Sequence, residues 1–434
     1  MDKNIAEYAL TQCIRHGATA ARITLSESDT SSLSLLNGET DRIQESACSS
    51  LELSVFVDGR YGTFSTNRME PDELRRFISE CIASCRLLVP DSFRKLPDKS
   101  LYYTGKGQDL KVEDRDFRNI SMDSAKSLLL DAYGGTPADS RTISVANEYE
   151  QTFRREYMID SQGLAVEDSR TVFSISGECT VKGDGDSRPQ GWWCDNSILF
   201  RDLPSTSGNE AHKRAVAMIG AGKMKSGRYN IVVEPAVSSR MVSPVINALY
   251  GSAIQQKNSF LAGTLGKRVF PESLTLSDNP LIPGSLGAAH YDGEGAATGP
   301  MDIIRNGEVA AYFLDTYNAG KLSMQRTTDS PCALFFPAHS GLDTGGIIEK
   351  AGTGILITGF NGGNCNSATG DFSYGIEGFY FENGEIIRPV REMNITGNFI
   401  SLWERVMFIG SDPRKSSAWQ IPSLAFGDAD ISGL

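Results

Sequence analysis

The segment Gly287-Ala-Ala-His290-Tyr-Asp292-Gly-Glu294-Gly295 puts an imidazole and two carboxylates on one short stretch of chain. Imidazole and carboxylate oxygens ligate divalent cations, and the same groups act as general acids and bases in hydrolysis. The surrounding glycines make the stretch a loop, and a surface loop is the plain reading of it. A metal-bound or acid–base site here would draw on His290, Asp292 and Glu294, with His339 as a further donor. The remaining histidines are His16 and His212. No two of the four stand at HExxH spacing, so no helix turn carries a ready zinc pair. His16 falls where a helix should end, and a cation there complements the exposed carbonyls.

Other chemistry-bearing strings fall short of their motifs. Gly220-Ala-Gly222-Lys223 resembles a phosphate loop, but Ala217 stands where its first glycine belongs and Met224 replaces the magnesium-binding hydroxyl. Gly293, Gly295 and Gly299 do not fit GxGxxG, and no GxSxG elbow occurs. The eight cysteines are scattered without any CxxC. Cys81 and Cys85 are spaced for one helical face. Free thiols in a reducing cytoplasm are therefore expected, with neither a zinc ribbon nor a disulfide framework.

A formal charge of −12 without a clustered basic run argues against gripping a nucleic-acid backbone. Solubility is the simpler role for the acidity. MDKNIAEYALTQCIRHG lacks the basic and apolar regions of a signal peptide, and no run nears the ~20 apolar residues needed to cross a bilayer.

The elements that must position these residues read as α+β. Small N-terminal and middle units are built on antiparallel sheets, and a larger C-terminal domain is rich in β. Residues 4–16 have helical spacing, stopped by Gly17. Residues 22–26, 32–36, 40–43 and 51–57 alternate as strands, with turns at Asn37-Gly38 and Asp58-Gly59. Pro71 opens a helix with Leu74, Ile78, Cys81 and Cys85 on its apolar stripe. Residues 89–120 connect to a helix at 121–133, strands from 142 to 182 and a helix near 209–220. A strand at 229–233 and a helix at 237–250 lead into β structure, including a hairpin at Asn306-Gly307. The expected domains are 1–110, 111–227 and 228–434.

The strongest hairpin signal lies in TGDFSYGIEGFYFENGEIIRPVREMNITGN, residues 369–398, where aromatic and branched residues flank Asn383-Gly384. This string resembles the C-terminal signature of the TldD/PmbA metalloprotease family, members of which also carry the name modulator of DNA gyrase. Asn258 to Lys267, Val269 to Glu272, Asp292-Gly-Glu294-Gly295 with Thr298, and Tyr317-Asn-Ala-Gly-Lys321-Leu322 are similar to further family blocks in the same order.

The resemblance implies a two-subunit protease. In its TldD branch a helix before an L-x-G element carries HExxxH, two histidines binding zinc and the glutamate acting as base, and a C-terminal cysteine completes the set. Ligands five residues apart lie about 140° apart on a regular helix, so their convergence needs a local irregularity. Leu249-Tyr250-Gly251 matches the L-x-G here, so the ligand positions become Val242 and Asn247, the base position Ser243 and the cysteine position Ile421. Valine and isoleucine have no donor atom, and asparagine is a poor zinc ligand. The chain is thus expected to belong to the PmbA (TldE) branch, with no metal of its own and zinc in a TldD-type partner. The substrates implied are unfolded peptides, in antibiotic-precursor maturation and antitoxin degradation, in the cytoplasm, and the isolated chain could form a homodimer. The alternatives are a stand-alone peptidase using the His290 loop and a protein that binds gyrase directly.

Overall fold

The computed structural model describes all 434 residues. Asp2 caps α1 (Lys3–Arg15) by accepting from the amide of Asn4 at 3.0 Å. This satisfies a donor that the first helical turn leaves free. Pro71 begins α2 (Pro71–Cys85), and Ser121 caps α3 (Met122–Gly134). α4 spans Ser207–Ala217.

Six strands form one antiparallel sheet: β1 (Ala20–Leu36), β2 (Glu39–Val57), β3 (Arg60–Thr66), β4 (Thr142–Asp160), β5 (Ala165–Val181) and β6 (Gln190–Ser197). Their order is β3-β2-β1-β4-β5-β6. The regions expected at 1–110 and 111–227 therefore share this sheet, joined by β1 against β4 from Arg22↔Asp160 to Leu36↔Ala146. β1 and β2 run unbroken where short strands were expected, because the polar run Ser26 to Ser32 stays in register between β2 and β4. All four helices lie on one face. α1 and α2 cover Ile23, Leu25, Leu53 and Val55, α3 covers Leu33, Tyr149 and Phe173, and α4 covers Cys179 and Val181. Burial raises the Cys81 thiol to about 11, so this thiol stays protonated packing matter.

The C-terminal strands are β7 (Gly227–Val233), β8 (Leu276–Asp278), β9 (Met301–Arg305), β10 (Glu308–Val309), β11 (Leu334–Phe335), β12 (Gly354–Phe360), β13 (Asn364–Cys365), β14 (Asp371–Glu382), β15 (Glu385–Asn398), β16 (Val406–Ile409) and β17 (Leu424–Ser432). β12-β7-β17-β15-β14 close into a barrel through β12 against β14. A four-stranded sheet, β10-β9-β8-β11, stands beside it. The second arm at Asn306-Gly307 is shorter than expected. After Val309 the amides of Ala310 and Ala311 both turn to the Ile303 carbonyl, and Phe313 donates to Leu249 at 2.9 Å. All four expected Asn-Gly and Asp-Gly turns form, each with both central residues at positive φ (for Asn383 and Gly384, 53° and 82°). α5 (Ser239–Ala248) is set into the main apolar core through Met241, Val242, Val245 and Ile246. No helix is long and apolar enough to cross a membrane.

Candidate functional site

The His290 loop is drawn tight by one cation. Arg326 donates from Nη2 to Asp292 Oδ2 and from Nε to Glu294 Oε2, the latter at 2.9 Å. Glu294 Oε2 also accepts from the amide and hydroxyl of Thr316, at 2.9 and 2.8 Å. Asp292 Oδ1 accepts from the amides of Glu294 and Ala296, at 3.0 and 3.1 Å. The side chains of Asp292 and Arg326 are only 2% and 10% exposed, so these bonds are made away from water. Burial works against the guanidinium charge, but Asp292 and Glu294 outweigh it and raise the Arg326 pKa. Both carboxylates are engaged by Arg326 and hold the loop, Asp292 through both of its oxygens and Glu294 through Oε2.

The same loop ties the three regions of the chain together. His290 stacks on Tyr103 with ring centroids 4.8 Å apart, and its Nε2 lies 2.9 Å from the Gln108 carbonyl. Arg22 on β1 donates to the Gly293 carbonyl at 3.3 Å, and Tyr103 N–H donates to Gly295 at 3.0 Å. The Tyr102 hydroxyl donates to Asp160 at the end of β4. Gly295, at φ 78°, has Leu164 packed where a Cβ would stand, so only glycine fits this approach of loop to sheet. Asp329 accepts from the Gly293 amide at 2.9 Å. Its pKa is raised, first by burial and then by neighbouring Asp292.

The other histidines do not join this loop. His16 caps the end of α1, as its position predicts. His212 is buried on α4, with Nε2 3.3 Å from Asp139 Oδ2. His339 lies in an exposed turn where its Nδ1 accepts from the Gly341 amide at 3.2 Å. No three His, Cys, Asp or Glu side chains assemble as a ligand set.

The structure does bring α5 and the Ile421 segment together. Ser238, fully buried, donates to the Ile421 carbonyl at 3.0 Å, and Val242 and Ile421 are 1% and 2% exposed within the same apolar core. Ser243 turns back on its own helix, donating to the Ser239 carbonyl at 2.8 Å. Asn247 points to solvent. Pro244 lies inside the helix, where it removes one backbone donor. Gly251, closing the L-x-G element, would put a Cβ 2.7 Å from that of Asn318, so the sequence requirement there is one of close packing. A pocket of about 210 Å³ opens beside this segment, lined by Phe335, Phe336, Pro413, Gln420 and Pro422. A wider polar groove of about 1200 Å³ runs between the connecting segment, β5, β6 and Arg414.

Three family models, described as PmbA/TldA metallopeptidase domain 1, central domain and C-terminal domain, match residues 21–85, 115–219 and 226–433 in that order. The chain belongs to the PmbA/TldD metallopeptidase family. A proposed modulator of DNA gyrase from Bacteroides thetaiotaomicron is 41% identical and superposes with a TM-score of 0.97, covering 100% of this chain and 99% of that one. Metalloprotease PmbA of Escherichia coli O157:H7 is 25% identical over 423 residues, 95% of this chain and 92% of its own. TldE from Thermococcus kodakarensis shares the fold, with a TM-score of 0.85 at 18% identity over 99% of this chain and 100% of that one.

For a PmbA/TldD-family chain, the residues at 242, 243, 247 and 421 make a poor metal-binding set. Two are buried hydrocarbons, one is a hydroxyl bonded to its own helix, and one is an exposed amide. Zinc is held by thiolate, imidazole or carboxylate, none of which these residues supply. Sequence reasoning missed Arg326 as the partner of the Asp292 loop. It stands alone in the polar run Ser323 to Ser330, which has no periodicity to mark it.

Proposed function

We propose that this chain is the non-metal-binding subunit of a two-part zinc protease of PmbA/TldD type, acting on unfolded peptides. The observation that carries this reading is the donor-free character of Val242 on α5 and of Ile421, both sealed in the same apolar core. In this role the chain shapes and completes a cleft, while a TldD-type partner bearing HExxxH supplies the cation and the activated water. Its antibiotic-precursor and antitoxin substrates, and its place in the cytoplasm, belong to the same proposal. The names and near-complete coverage of the Escherichia coli and Bacteroides relatives support the family membership on which it rests.

The test is an unfolded-casein assay of the purified chain, its TldD-type partner and the mixture. Hydrolysis by the mixture well above the sum of the separate rates is expected, with zinc copurifying only with the partner. Stoichiometric zinc and peptidase activity in this chain alone would overturn the reading. The pairing of both Asp292 and Glu294 with Arg326 weighs against a stand-alone peptidase built on this loop.

A further inference from the structure

The pocket beside Ile421 differs in kind from the groove it adjoins. Its volume is about 210 Å³, and no Asp, Glu, Lys or Arg lines it. The polar groove of about 1200 Å³ is lined by charges of both signs, Asp114, Asp195, Arg201 and Arg414 among them. Residues 282–286 and 410–418 wall both. Gly284, Leu286 and Arg414 belong to the groove, and Ile282, Ser285 and Pro413 to the pocket.

The pocket is held open by the fold. Phe336, buried in the main core, and Phe335 on β11 give it an aromatic wall. Another wall is the loop 410–422, which is tied at both ends and in the middle. Gly410 donates to the Ser423 carbonyl at 2.7 Å and Gln420 to that of Leu334 at 2.8 Å. Arg414 and the Ser416 hydroxyl both donate to Asp195, at 2.8 and 3.0 Å. Pro413 and Pro422 stiffen the loop by fixing φ. Walls fixed in this way lose little freedom when a ligand arrives.

Size and polarity select the occupant. An apolar cavity of about 150 Å³ takes one benzene ring, so this pocket suits one aromatic side chain. An ionised side chain would be stripped of water there and find no opposite charge. At the exposed rim, His339 Nδ1 accepts from the Gly341 amide at 3.2 Å. The proton of the neutral ring then sits on Nε2, a donor suited to a backbone carbonyl. Phenylalanine is buried in folded proteins and on offer in unfolded ones.

We infer that the pocket between Phe335, Phe336, Pro413 and Gln420 is a subsite for a phenylalanine side chain of an unfolded peptide whose backbone lies in the adjoining polar groove. This subsite rests on the proposed function for its substrate, but binding is read on this chain alone, without partner or hydrolysis. A mixture that cleaves casein while the pocket shows no preference would defeat the subsite and leave the two-part protease standing.

The probe is a short fluorescent peptide of alternating glycine and serine with one central phenylalanine, followed by anisotropy. Peptides with alanine or aspartate at the centre are the comparators, and N-acetylphenylalaninamide is the free competitor. The phenylalanine peptide should bind the wild-type chain about ten-fold or more tightly than either comparator, as burial of one large apolar side chain implies. Ala418→Leu fills the pocket from its half-buried loop and should abolish that preference while leaving the weak binding of the alanine peptide as it was. Equal binding of the phenylalanine and alanine peptides by the wild type overturns the inference even if Ala418→Leu fails to fold. A preference that survives in folded Ala418→Leu overturns it too, since the side chain is then held elsewhere. Binding of N-acetylphenylalaninamide as tight as that of the peptide would also overturn it, giving the pocket to a small molecule with no part for the groove.

Discussion

In the loop from His290 to Gly295 both carboxylates are matched inside the molecule, whereas the outward side chains of α5 at Ser243 and Asn247 carry no charge at all. The first segment has the residue types of a reactive centre and is architecture. The second has the composition of ordinary core helix, and it occupies the position where the metal-bearing branch of its family is expected to do chemistry. Residue type says which reactions are possible. Whether a group remains available depends on what its neighbours have already claimed.

The largest effect expected to test this contrast is at Arg326. Replacing it with methionine keeps the bulk and leaves Asp292 and Glu294 buried without their cation, a change that typically costs about 3–5 kcal/mol. Denaturant unfolding reads it directly, and a loss under about 1 kcal/mol would mean that the loop does not depend on this pairing. On α5, Val242→His puts an imidazole into a sealed apolar site and is expected to cost about 1–3 kcal/mol. Its counterpart Asn247→His, in solvent, should stay within about 0.5 kcal/mol. Equal effects at both positions would erase the distinction drawn between the two faces of the helix.

A smaller effect concerns pH. Asp329 has a raised folded pKa, so the folded state holds its proton more tightly than the unfolded chain does. The resulting stability is present at low pH and is lost as pH rises through the folded value. Asp329→Asn, which keeps an acceptor for the Gly293 amide, should gain on the wild type at neutral pH and not in acid. Thermal melts across that range check the sign, and parallel curves for the two proteins would refute it.

Much of the fold is legible locally. The Asn-Gly and Asp-Gly turns need two successive residues at positive φ, and few other pairs accept that, so the hairpins at 37–38, 58–59, 306–307 and 383–384 announce themselves. The apolar stripes of α1 and α2 are equally plain. The pairing of β1 with β4 is not, because the polar residues Ser26 to Ser32 alternate nothing that would mark a partner more than a hundred residues away. The candidate site divides in the same way. The donor-free residues at 242 and 421 are visible as letters, whereas their meeting through Ser238 is a tertiary fact. Arg326 reaches residues 32 and 34 positions earlier in the chain, a separation that no local pattern encodes.

The central place of β1 has a consequence for how the molecule is made. Its first edge is closed early by β2, but its second is fully paired only once Asp160 has emerged from the ribosome, after the whole of α2, the connecting segment and α3 have been synthesised. Until then the nascent ribbon exposes two open sides in a crowded compartment. The charges scattered along it, with their solvation and mutual repulsion, are the chain's protection against premature pairing with its neighbours.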